Sequence, residues 1–272
     1  MHRLPGLLLH CSAILGFSAA VSANPWVQKT GHGIAIVNAV AYRTSHNFDT
    51  QGEQQSQPRF SKYELNPYLE YGLSDDWTIG TSLFLHKLQQ ATAEADQQNW
   101  GLGNSELFVR YQLWRKSRSA VTLEPFGALP AFYANAGSPR AGRDEGDLGL
   151  AVNAGYGFAL AGAEHFATWR TAYRHRLGAL ADQWQMELRT GFNLSEHWLV
   201  MPELQWTLPA QGVASDGFSV AGQNDYRLLK AQLSAVYQFT PNDGIQIGAF
   251  RHISGEQTGA GGGWLVSLWR RF

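Results

Sequence analysis

Ten residues, Lys62-Tyr63-Glu64-Leu65-Asn66-Pro67-Tyr68-Leu69-Glu70-Tyr71, put one kind of side chain at even positions and another at odd ones. Side chains alternate faces along a strand. One face is therefore Lys62, Glu64, Asn66, Tyr68 and Glu70, and the other is Tyr63, Leu65, Pro67, Leu69 and Tyr71. The apolar face carries aromatics at both ends and aliphatic groups between them. Strands of a soluble sandwich or lipocalin-like barrel alternate too, but they have no reason to place aromatics at both ends. A lipid-facing strand does, because Tyr and Trp settle at the two membrane interfaces.

The pattern recurs along the chain. Leu107, Val109, Tyr111 and Leu113 oppose Glu106, Phe108, Arg110 and Gln112, and Trp184, Met186, Leu188 and Phe192 oppose Gln185, Glu187, Arg189 and Asn193. Segments of this kind lie near 31–43, 59–71, 77–87, 103–114, 119–131, 146–160, 165–176, 183–194, 198–208, 225–239, 244–253 and 262–272. Each is about ten residues, enough to cross a bilayer at ~45° tilt. Short connections (72–76, 115–118, 161–164, 195–197, 240–243) alternate with longer ones (44–58, 88–102, 132–145, 177–182, 209–224, 254–261). Tight periplasmic turns and longer outer loops have this asymmetry. The expected fold is an all-β, antiparallel up-and-down transmembrane barrel of about twelve strands, with both termini in the periplasm. Trp77, Phe158, Phe192, Trp198, Phe239 and Phe272 would form the periplasmic girdle, and Tyr63, Trp184, Trp206 and Trp264 the outer one.

The N-terminus reads as a secretory signal. Met1-His2-Arg3 is basic, Leu4 to Ala20 is mostly apolar, and Val21-Ser22-Ala23 offers small residues for cleavage before Asn24. The division is thus a signal peptide over 1–23 and a barrel domain over 24–272. The single cysteine, Cys11, lies in the signal, so the mature chain has no disulfide or cysteine metal site. Beyond the signal there is no long apolar run, and only helices and closed barrels satisfy every backbone group in lipid. Charged residues are 16% of the chain, below the ~25% of typical soluble domains. The near balance of 21 Lys+Arg against 22 Asp+Glu shows no footprint for nucleic acid.

Residues Lys62–Gly80 (KYELNPYLEYGLSDDWTIG), Gly101–Trp114 (GLGNSELFVRYQLW) and the closing Leu268-Trp269-Arg270-Arg271-Phe272 resemble a family of bacterial outer-membrane barrels, labelled XagA-like or associated with phenol degradation. The resemblance implies an outer-membrane location and small-molecule transport. It brings no catalytic residues. Trp264, Leu268 and Phe272 share the outward face of the last strand and are the expected C-terminal signal for the barrel-assembly machinery. The other expected partners are outer-membrane lipid and a small solute.

The expected lumen face carries both charge signs. Lys62, Glu64, Glu106, Arg110, Arg170, Arg174, Glu187, Arg189 and Lys230 are the candidate lining and selectivity residues, with Glu70, Glu124, Glu203 and Arg271 beside them. Tyr68, Phe84 and Phe108 add inward aromatic surface able to stack on a planar solute. An arginine ladder facing carboxylates orients a polar solute in a transverse field. The same groups, paired off, would instead plug a narrow barrel.

The leading functional expectation is a passive channel for a small, amphipathic or aromatic solute. The alternatives are a structural or surface-interaction barrel with a plugged lumen, and an outer-membrane lipid hydrolase. The hydrolase would use His252 and Ser254, two apart on a strand and so expected on one face, with the imidazole activating the hydroxyl. A third group would have to orient the histidine. The remaining histidines show no metal-site spacing, and Asp144-Glu145-Gly146-Asp147 lacks the periodicity of a calcium loop. No cofactor, metal or catalytic residue is expected from the channel reading.

Overall fold

The computed structural model describes residues 25–91, 96–131, 138–212 and 225–272. The expected signal peptide lies outside the described residues. Twelve antiparallel strands form one closed barrel. They are β1 (Gly33–Phe48), β2 (Gln54–Ser74), β3 (Trp77–Ser82 continuing as Leu85–Gln90) and β4 (Gln97–Leu102 continuing as Glu106–Lys116). Then follow β5 (Ser119–Ala128), β6 (Asp147–Leu160), β7 (Ala163–Arg176) and β8 (Gln183–Asn193). The last four are β9 (Trp198–Pro209), β10 (Arg227–Gln238), β11 (Asp243–Glu256) and β12 (Thr258–Gly259 continuing as Gly262–Arg271). Each strand pairs with its sequence neighbours, and β1 pairs with both β2 and β12, which removes every free edge. The closing contact uses the last residue: Gly33 N donates to the Phe272 carbonyl at 2.8 Å, and Phe272 N donates back to Gly33 at 3.1 Å.

The alternation read from the sequence is the partition between lipid and lumen. Leu65, Leu69, Leu107, Leu113, Leu233 and Leu268 are exposed on the outside, whereas Thr78, Thr122, Asn153, Thr168 and Ser267 are buried inside. Trp77 packs on Tyr111 at 4.5 Å and Trp198 on Tyr237 at 4.9 Å between ring centroids, beside the short turns where the periplasmic girdle was expected. Arg270 breaks the apolar outer face near the end of β12. It is held there by Asp243, with Nη1 2.9 Å from the carboxylate.

The strand count agrees with the sequence reading, but several boundaries do not. The segments read as loops over 44–58, 88–102 and 254–261 are mostly strand. There β1 and β2 run on to a turn at 49–53, β3 and β4 run on to 90 and 97, and β11 and β12 are separated by Gln257 alone. The first strand starts at Gly33 and ends at Phe48, beyond the expected 31–43. The two ends of the barrel still differ, but the difference is carried by extended hairpins as well as by the β5–β6 and β9–β10 connections.

Candidate channel lumen

All nine predicted lining residues stand on the inner wall. Arg110 on β4 is 1% exposed. Its Nη1 lies 2.8 Å from Glu70 on β2 and its Nη2 2.6 Å from Glu124 on β5. Arg170 on β7 reaches the other oxygen of Glu124 at 3.3 Å. Arg174, two inward positions further out, pairs with Glu106 on β4 and, at 3.0 Å, with Asp147 on β6. Asp147 also holds Arg143 at 2.6 Å. Beneath these guanidiniums lie aromatic rings: Arg110 is 5.2 Å from the Phe108 centroid, and Arg170 and Arg174 are 5.3 and 5.1 Å from that of Phe126.

A second group stands on the facing wall. Arg189 on β8 pairs with Glu187 at 2.6 Å and with Glu203 on β9 at 2.6 Å. On the β2–β3 side, further out than Glu70, Lys62 and His86 both hold Glu64, at 3.0 and 2.9 Å. Lys230 has no carboxylate partner among the described residues, and its Nζ lies 5.3 Å from the Phe250 ring. A cavity of about 230 Å³ separates the two walls, reaching Tyr68, Arg110, Glu124 and Arg170 on one side and Gln185, Glu187 and Gln205 on the other. The Arg170–Arg174 ladder is therefore satisfied sideways, by carboxylates of β4 to β6, and not by Glu187 on its partner strand. Glu70, Glu124 and Asp147 are as central as the predicted set. The first two are visible in the alternation, whereas Asp147 opens its strand beside a loop.

Two further pieces narrow the lumen, and neither was legible beforehand. At the outer end the described parts of the β5–β6 connection, 129–131 and 138–146, turn inward. Ala131 and Ala141 are buried against Tyr42, Phe60 and Leu88. His86 Nδ1 lies 2.7 Å from the Ala141 carbonyl, and Asn99 donates to the Pro139 carbonyl at 3.1 Å. At the periplasmic end residues 25–32 form a strap that enters the barrel. Thr30 bridges to Gly72, where a Cβ would come within 2.2 Å of the Lys29 carbonyl, so this approach needs glycine. Gln28 N donates to Thr78 at 2.8 Å and Gln28 Nε2 to Glu70 at 2.6 Å. Trp26 then meets Phe166 on β7 edge-on at 6.5 Å. The strap thus crosses from the β2–β3 wall to the β6–β7 wall and joins the Arg110 network through Glu70.

The paired geometry expected for a hydrolase is absent at His252 and Ser254. A bulge in β11 puts His252 opposite Lys230 but Ser254 opposite Leu229, and Leu229 and Lys230 point to opposite faces. His252 turns inward, stacks on Tyr42 at 4.9 Å between centroids, and its Nδ1 lies 2.6 Å from the Gly259 carbonyl. Ser254 is exposed on the other side. Among the described residues no group of three or more metal-type ligands gathers.

This architecture matches solved barrels. An outer membrane channel from Pseudomonas putida F1 superposes with a TM-score of 0.72 at 13% identity, over 93% of this chain and 100% of that one. The NanC porin aligns with a TM-score of 0.53 at 9% identity over 86% of this chain and 98% of its own, and the KdgM porin with 0.50 at 6% over 86% and 99%. The fold is that of outer-membrane β-barrel channels. The sequence matches no protein-family model and no curated protein.

Proposed function

We propose that the protein is a passive channel of a bacterial outer membrane for a small solute that is polar at one edge and aromatic or apolar elsewhere. The observation that carries this reading is the central cavity of about 230 Å³, bounded by ion-paired arginines lying over phenyl rings on one wall and by carboxylates and glutamines on the other. Such a wall offers a planar solute both a stacking surface and fixed charge. The XagA-like, phenol-pathway resemblance of Lys62–Gly80 and Gly101–Trp114 supports an aromatic cargo within the same reading. Discrete current steps are expected from the purified protein in planar bilayers. A silent bilayer, with the protein folded by heat-dependent gel mobility, would overturn it.

A second reading has its own observation. Arg110, Arg170, Arg174 and Arg189 each have a carboxylate partner in the lumen, which is what a plugged structural barrel requires. The same recordings decide between the two.

A further inference from the structure

We propose that the outward face of β11, β12, β1, β2 and β3, just beyond the outer aromatic girdle, is a docking site for the phosphates of an outer-leaflet glycolipid of the lipid A type. The proposal rests on the outer-membrane reading above. Arg43 on β1 lies opposite Gly262 on β12, which lies opposite Arg251 on β11. Two outward guanidiniums thus flank a position with no side chain, two strand spacings or about 10 Å apart. Each stands two residues further out than Ala41 and Ala249, the register partners of the lipid-facing Trp264, which is 57% exposed. On the neighbouring strands Arg59 lies on the face of Tyr63, and Lys87 lies opposite Tyr63. A girdle marks where acyl chains give way to headgroups, so these cations reach headgroup depth.

The cations lack internal counter-ions. Among the described residues no carboxylate comes within 4.0 Å of Arg43, Arg59, Lys87 or Arg251. Among the described residues the Arg43 guanidinium donates only to the Tyr63 hydroxyl, at 2.8 Å. The outward arginines elsewhere behave differently: Arg118 is paired with Glu164, Arg227 with Glu256 and Arg270 with Asp243. Arg43, Arg59, Ser61, Tyr63, Gln89 and Gln98 line an open hollow of about 500 Å³, and Asp96 lines it too. Unpaired guanidiniums at a lipid boundary are satisfied by bidentate phosphate contacts, and the glutamines and Ser61 add donors for the sugar.

Protein refolded in detergent free of glycolipid is titrated with diphosphoryl lipid A, with phosphatidylglycerol and with inorganic phosphate, and bound lipid is read by native mass spectrometry. Diphosphoryl lipid A is expected to bind about ten-fold or more tighter than phosphatidylglycerol. That advantage should disappear when Arg43, Arg59, Lys87 and Arg251 are all changed to Gln, and persist in the control Arg227→Gln with Arg270→Gln. An unchanged affinity in the four-site variant, equal binding of phosphatidylglycerol, or displacement of lipid A by equimolar inorganic phosphate would each overturn the site. If the four-site variant fails to refold, Arg43→Gln with Arg251→Gln gives the same comparison. Single-channel current recorded in parallel keeps this result separate from the channel reading, since a barrel that binds lipid A yet passes no current contradicts only the latter.

Discussion

Arg110 sits between Glu70 and Glu124 with both carboxylates within 2.8 Å, and its removal takes the arginine partner from Glu70 while Glu124 keeps Arg170. Breaking a buried pair costs about 3–5 kcal/mol, whereas replacing every partner by neutral groups of similar volume is close to neutral. Arg110→Met is therefore expected to lose stability of that order in urea-induced unfolding in lipid. Adding Glu70→Gln, which neutralises the carboxylate left without its arginine while Glu124 keeps Arg170, should recover most of it. No recovery would mean that Arg110 acts through packing on Phe108 alone. At this scale the sequence was informative about direction and silent about partners. Alternation along β4 places Arg110 inward because polar groups avoid lipid. The choice of Glu70 and Glu124 depends on which strands lie beside β4, and no single strand contains that. The same limit explains His252 and Ser254: a spacing of two predicts a shared face only in a regular strand, and the bulge at Leu229/Lys230 removes the regularity.

At the scale of elements, strands were legible where one face meets lipid and illegible where both faces meet water. The outer halves of the hairpins read Gln54-Gln55-Ser56-Gln57, Gln89-Gln90 and Gln97-Gln98, polar on both sides, so no alternation marks them as strand. The strap over 25–32 carries no period at all, because apart from one local turn, His32 N to the Lys29 carbonyl, it is held by tertiary contacts. Its anchorage leads to a pH prediction. Asp75, in the periplasmic turn, accepts from Thr30 Oγ1 at 2.8 Å and from Thr30 N at 3.2 Å, and the Thr30 hydroxyl holds its carboxyl below the usual carboxylate range. A carboxylate with a depressed folded value contributes above its unfolded value, ~3.9, and loses that contribution as pH falls through the lower one. The strap is therefore expected to stay clasped at neutral pH and to loosen under acid below about 4. Asp75→Asn should reproduce the loosening at pH 7, read as faster current fluctuation or as increased hydrogen exchange at Gly31 and His32. Exchange identical to wild type would show that the Gln28, Gly72 and Phe166 contacts hold the strap without Asp75.

The whole molecule puts three narrow zones in series: the inward β5–β6 connection, the charged middle and the strap. Resistances in series add, so relief of one zone raises conductance only to the limit set by the other two. Deleting residues 25–30 is thus expected to raise single-channel conductance modestly, and the remaining current should still respond to the middle zone. There the fixed charge can be altered without moving the wall. Arg170→Gln with Arg174→Gln removes two positive charges and leaves Glu106, Glu124 and Asp147 with fewer partners, so the lumen field becomes more negative. Reversal potentials in a salt gradient should shift toward cation preference. Lys230→Gln, which removes a cation held over Phe250 without a carboxylate partner among the described residues, should shift them the same way by about half, in proportion to the charge removed. The two shifts should grow as salt is lowered, because screening shortens from about 10 Å at 0.1 M to 3 Å at 1 M. A double variant whose selectivity stays fixed at low salt would mean that permeating ions do not pass beside Arg170 and Arg174.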